Sequence, residues 1–187
     1  MNASEPPDIP IATANVAQLQ MSFDAEQDRL LFRIGSAEGA ELRAWFTRRL
    51  VKLLWPNLVG ILGKKIALET PAATPEAQRA LAGLRHEAQM READFSQPFR
   101  SEGTQLPLGA EPMLIARVDL TLLPSKQILA ALKSQHGASI DVHMNDALFH
   151  GFCKLLEQSC KHASWDMDLA LPGLAMGAAG DAPHVLN

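Results

Sequence analysis

The densest run of reactive side chains is DVHMNDALFHGFC, which holds Asp141, His143, Asp146, His150 and Cys153. On a helix beginning after Asn145, Asp146 and His150 stand four residues apart and His150 and Cys153 three. One face would then offer a carboxylate, an imidazole and a thiol, the donors of a metalloprotein or metal-dependent enzyme. The blander account is a charge at the helix start, a histidine at the core boundary and a buried thiol. The sequence favours it, because closed metal sites usually draw on two separated ligand pairs and no second pair accompanies this one. Asp146, His150 and Cys153 therefore stand only as an alternative metal set, and neither a catalytic residue nor a cofactor is assigned.

Cys153 and Cys160 lie about 10 Å apart along a helix at 1.5 Å per residue, too far for a disulfide. Both fall on an apolar stripe, where a thiol is a poor nucleophile. The chain lacks the GxxxxGK, GxGxxG, GxSxG and HExxH signatures.

A second chemistry is carried by alternation. If Leu30, Phe32, Ile34, Leu42, Ala44 and Phe46 face inward, then Arg29, Leu31, Arg33, Arg43 and Trp45 share the opposite sheet face. Arginines beside an aromatic ring are what single-stranded nucleic acid needs, guanidinium for phosphate and a ring for base stacking. Arg29, Arg33, Arg43 and Trp45 are accordingly candidate nucleic-acid contacts. The competing account, which the sequence favours, is that Trp45 and Leu31 pack against another layer or another protein.

The elements that would position these residues occur twice. Shifting the chain by 98 residues aligns LLFRIGSAEGAELRAWFTRRLVKLL with ILAALKSQHGASIDVHMNDALFHGF without a gap. Ser36/Ser134, Gly39/Gly137, Ala40/Ala138 and Leu50/Leu148 are identical, and Thr47/Asn145 are both helix-capping residues. Each copy reads as three alternating strands joined by tight connections and followed by a helix. The first strand of the second copy matches less well, unless VDL is moved by one residue in the loop. The expected fold is α+β, a tandem βββα repeat of two antiparallel meanders, each followed by a packing helix, forming one domain with pseudo-twofold symmetry. Its divisions are a disordered tail (1–15), a first unit (16–68), a polar helix and linker (69–112), a second unit (113–165) and a flexible tail (166–187).

Two segments depart from the repeat. The helix RLVKLLWPNLVGIL is apolar almost all round, and Pro56 is expected to bend or restart it. Its excess apolar surface, including Leu50, Leu54, Trp55, Leu58 and Leu62, calls for cover by the second half of the chain or by a second subunit, so a homodimer is expected. In the linker, EAQRALAGLRHEAQMREADF reads as a polar helix with a thin stripe of Ala77, Leu81, Leu84 and Ala88.

The totals bound the rest. The chain has 187 residues, 47% hydrophobic and 20% charged, with a formal charge of −4. That is the composition of a folded domain rather than a disordered or wholly basic one. The first residues lack the charged and apolar regions of a secretory signal, and Leu50–Leu62 is too short to span a bilayer, so a cytoplasmic protein without a membrane partner is expected. The resulting expectation is a non-enzymatic binding or adaptor protein, partnered by itself or another protein, with single-stranded nucleic acid and metal chemistry as alternatives.

Overall fold

A computed structural model describes residues 11–14, 16–92, 99 and 105–171. The chain runs β1 (Ile11–Ala14), β2 (Val16–Asp24), β3 (Arg29–Ser36), β4 (Glu41–Thr47), α1 (Arg48–Glu69), α2 (Pro75–Glu92), β5 (Met113–Leu114), β6 (Arg117–Leu122), β7 (Ile128–Lys133), β8 (Ser139–Met144) and α3 (Asp146–His162). The fold is α+β, and the tandem meander-plus-helix repeat is present.

Local chemistry repeats with the sequence. Gly39 and Gly137 both take positive φ in the β3–β4 and β7–β8 turns, at 83° and 90°, where a Cβ would be strained. Asp28 and Lys126, also 98 residues apart, take positive φ in the preceding hairpins. The Ser36 and Ser134 amides each donate to the carbonyl four residues on, and the Thr47 and Asn145 side chains each cap a helix by accepting from the Leu50 and Leu148 amides. Register settles the first strands. Leu19 opposes Ile34 while Val118 opposes Leu132, so β2 and β6 are related by 99 residues, the one-residue shift being taken up in a shorter hairpin.

The two copies are interwoven. β1 leaves its own meander to pair in parallel with β8, and β5 pairs in parallel with β4, which gives two four-stranded sheets in the orders β2-β3-β4-β5 and β1-β8-β7-β6. Residues 11–14, expected within a disordered tail, are thus a strand of the second sheet. The linker also contributes at Gln105, whose N–H donates to the Gly39 carbonyl while its own carbonyl accepts from the Glu41 amide.

Each helix packs on the other copy's sheet. α3 lies on the first: Phe152 meets Phe32 and Phe46, with ring centroids 5.2 and 6.3 Å apart, and the Ser159 hydroxyl donates to the Met21 carbonyl. α1 packs against β6 of the second, and buried Lys65 donates to the Lys126 carbonyl and pairs with Asp146. The buried positions Val51, Leu54, Trp55, Leu58, Ile61 and Leu62 of α1 match Phe149, Phe152, Cys153, Leu156, Ser159 and Cys160 of α3 at the same 98-residue shift.

This interweaving corrects one expectation. Leu50, Leu54, Trp55, Leu58 and Leu62, assigned to a subunit interface, are all buried within the single chain. Of the two outcomes expected at Pro56, a restart does not occur: α1 is one helix through it, and the Asn57 side chain donates to the Leu53 carbonyl. Beyond α3 the chain stays packed where a flexible tail from 166 was expected. Leu169 and Leu171 are buried, and Trp165 stacks edge-on to Phe23 and donates to Asp28 at 3.0 Å. Residues 172–187 lie outside the described part, as do 1–10.

Candidate binding surfaces

The outward face of the first sheet is set by pleat alternation. Register places Leu31 opposite Trp45 and Trp45 opposite Leu114, a row across β3, β4 and β5. Leu31 and Trp45 are half-buried and Leu114 is 42% exposed. One row away Arg33 opposes Arg43, and Arg29 opposes Thr47. The expected arginine–tryptophan grouping therefore exists as one surface, and β5 adds Leu114, which sequence reading missed because a two-residue strand has no alternation to read.

Two of the arginines are engaged. Glu41, only 1% exposed, receives Arg33 through both carboxylate oxygens at 2.6 and 2.9 Å and Arg43 at 2.7 Å. The Arg33 hydrogen bond, aided by Arg43, holds this carboxyl below its ordinary range although burial acts the other way. Arg33 also donates to the Gln20 side chain, and its guanidinium lies 4.1 Å from the centroid of the Phe99 ring. Arg43 reaches the Ala110 carbonyl at 3.3 Å. These contacts fasten the linker to the sheet and spend much of the charge that a phosphate would need. Glu41 was missed because an acidic residue beside a glycine turn reads as solvated.

The second sheet turns a different face outward. Asp119 is paired with Arg117 and Lys133, which lower its pKa, Lys133 most. Ser139 donates to Asp141 at 3.0 Å, and His143 is exposed.

The side chains considered as metal ligands do not converge. Asp146 is held by Lys65, and His150 is buried with its Nδ1 3.1 Å from Nδ1 of His86 on α2. Burial raises the Cys153 thiol well above its ordinary range and pushes Cys160 up to about 12, so both stay protonated and unreactive. Among the described residues no group of three or more His, Cys, Asp or Glu side chains is arranged to hold a metal ion. His86 itself escaped the sequence reading. The buried face of α2 is Ala82, Gly83 and His86, whereas Ala77, Leu84 and Ala88 of the expected stripe are exposed.

The described residues also form concavities, three of which bear on function. One of about 350 Å³ lies between the end of α1 and the β6–β7 hairpin, lined by Lys65, Leu68, Leu122 and Lys126. One of about 340 Å³ runs between α1 and α2 along Val59, Leu62, Ile66 and Ala82. The third, about 150 Å³, is bounded by Trp55, His86, Cys153, Glu157 and Leu169–Leu171. The third places His86, Glu157 and the Cys153 thiol around one small space, but burial holds that thiol protonated and so a poor nucleophile. Among the described residues no helix is long and apolar enough to cross a membrane. No protein-family model, curated protein or solved structure matches this chain.

Proposed function

We propose that this chain is a non-enzymatic binding or adaptor protein whose docking surface is the outward face of the first sheet. The observation that carries the reading is the in-register row Leu31–Trp45–Leu114, an aromatic and two leucines on a sheet whose inner face is already filled by α3. Aromatic side chains flanked by arginine are the usual anchors of protein contacts. The Arg33–Glu41–Arg43 cluster favours a protein partner over nucleic acid, because a carboxylate in contact with both guanidiniums opposes phosphate.

A second copy of the chain is one such partner. With the apolar side of α1 consumed internally, a homodimer would use this sheet face instead. Sedimentation of wild type and Trp45→Asp at tens of micromolar tests it: a dimer lost in the variant supports self-association here, and a monomeric wild type removes it. For a different protein partner, the test is affinity capture from the native host followed by titration of the purified partner. Trp45→Ala should weaken that complex by about 2 kcal/mol or more, and unchanged affinity would overturn the docking face.

Single-stranded nucleic acid is the second reading, resting on Arg29 and Trp45 on the same face. It requires Trp45 fluorescence quenching by an oligonucleotide and a slope of log affinity against log salt of about −0.7 per neutralised phosphate. Absence of binding at low salt would end it.

A further inference from the structure

We propose that the His86–His150 pair is an acid-sensitive latch that holds α2 against the body of the fold and releases it when the pair takes up a proton. The two imidazoles are buried, at 4% and 2% exposure, with Nδ1 atoms 3.1 Å apart and ring centroids 5.2 Å apart. An Nδ1···Nδ1 hydrogen bond contains one proton, so one ring must donate from Nδ1 while the other accepts there and carries its hydrogen on Nε2. A further proton on the accepting Nδ1 turns the bond into two opposed N–H groups and places charge in an apolar contact.

The rest of the docking of α2 is thin. Among the described residues it includes Ala82 and Gly83 in the core, Leu81 half-buried, the Gln78 side chain donating to the Thr70 carbonyl, and Arg85 paired with Glu69 of α1. The outward side of the helix carries Glu76, Arg79, Glu87 and Arg91 among exposed alanines, with Leu84 its one large exposed apolar side chain among the described residues. A mostly polar helix fastened by so few contacts is a unit that can open without global unfolding. Its departure would uncover Val59, Leu62 and Ile66 of α1 along the groove and Trp55 and Cys153 beside the small cavity.

The charges facing the pair come from three helices. α2 supplies Arg85 and Glu87, α3 supplies Asp146, Lys154 and Glu157, and α1 supplies Lys65, with Glu69 held by Arg85. Asp146 is engaged by Lys65, Glu157 by Lys154 and Lys161, and Glu87 lies 3.8 Å from Arg91, so each carboxylate facing the pair already has a cation of its own. Burial is the main cause that lowers both histidines; the neighbouring His86 ring adds to it at His150, which is pushed down to about 4, and Lys154 adds to it at His86. A released histidine returns to its ordinary value of 6.5. Proton uptake therefore favours the open state as pH falls from about 6.5 toward 4, and docking is fully retained above that window.

Hydrogen exchange of the full chain, corrected for the intrinsic pH dependence of exchange, tests the latch between pH 7 and 4. The α2 amides should lose protection by up to about tenfold per pH unit for each proton taken up, while the α1, α3 and strand amides keep theirs. The double variant His86→Leu, His150→Leu should keep α2 docked with a flat profile over that range. If the variant does not fold, the wild-type profile still decides. The proposal is overturned if α2 stays protected until the whole chain unfolds, or if a folded double variant opens with the same pH dependence as wild type.

Discussion

The two copies bury the same positions and expose opposite chemistry. Inward, Leu58 and Leu156 are both fully buried at equivalent places on α1 and α3, and the two caps accept from equivalent amides. Outward, Arg33, Glu41, Arg43 and Trp45 of the first sheet stand where the second has Ala131, Ser139, Asp141 and His143. A repeat constrained only by folding would be free to drift over both outer faces. Here the first has acquired a buried carboxylate, two arginines and a tryptophan that no packing requirement of the shared fold imposes, since the second sheet folds without them. The difference separates what the architecture needs from what one face has in addition, and it is the ground on which the proposal of a docking surface on the first sheet rests.

The sharpest way to break the inward half of this comparison is to truncate Leu58 and Leu156 separately to Ala. Each should cost about 2–5 kcal/mol in chemical denaturation, with the two values close. A loss under 1 kcal/mol at either would mean that its helix is not central. Leu53, 59% exposed on α1, is the control and should change stability by no more than about 0.5 kcal/mol.

The outward half is tested by Glu41→Gln, which should cost about 1.5–3 kcal/mol because charged hydrogen bonds to two arginines are lost at a buried site. Ser139→Ala, its counterpart, should cost about 1 kcal/mol or less. The Glu41 effect also has a pH signature. Its folded pKa lies below the ordinary 4.5, so its contribution is present above 4.5 and disappears as pH falls through the lower folded value. Wild type and Glu41→Gln should therefore converge in stability under acid, and a gap that stayed constant would contradict the ion-pair account.

Smaller effects refine the symmetry. Thr47→Ala and Asn145→Ala should each lose about 0.5–2 kcal/mol, as expected for a cap accepting one amide. Gly39→Ala should cost about 1 kcal/mol from positive φ alone, since a Cβ there meets no atom within 4 Å. Thermal denaturation of these three variants checks whether the two halves respond alike.

Much of this was legible in residue order. Alternation in Leu30–Ile34 and Leu42–Phe46, the paired serine–glycine turns and the paired caps fix local conformation through short-range chemistry, and the strands and helices stand where those signals put them. What escaped depends on long-range partners. β1 and β5 span four and two residues and exist only because β8 and β4 offer an edge. The apolar stripe of α3 shows that a face is buried without showing which sheet buries it, so the exchange of helices was not readable. The same limit produced the mistaken interface on α1. Glu41 and His86 were passed over because a charged or polar side chain reads as solvated until a partner is brought to it. The outward arginines and Trp45 were readable from parity alone, but not the engagement of Arg33 and Arg43 by Glu41.

The exchange of strands and helices also bears on how the chain reaches its native state. Neither half can complete itself: the first meander needs β5 and α3 from beyond residue 112, and the second needs β1 and α1 from before residue 70. The stabilising contacts thus span large sequence separations, which slows folding relative to a protein built from local contacts and makes its acquisition of structure concerted. A break in the 69–112 connection would not release two small domains. It would leave two fragments, each with an uncovered apolar sheet, that regain stability only by finding one another.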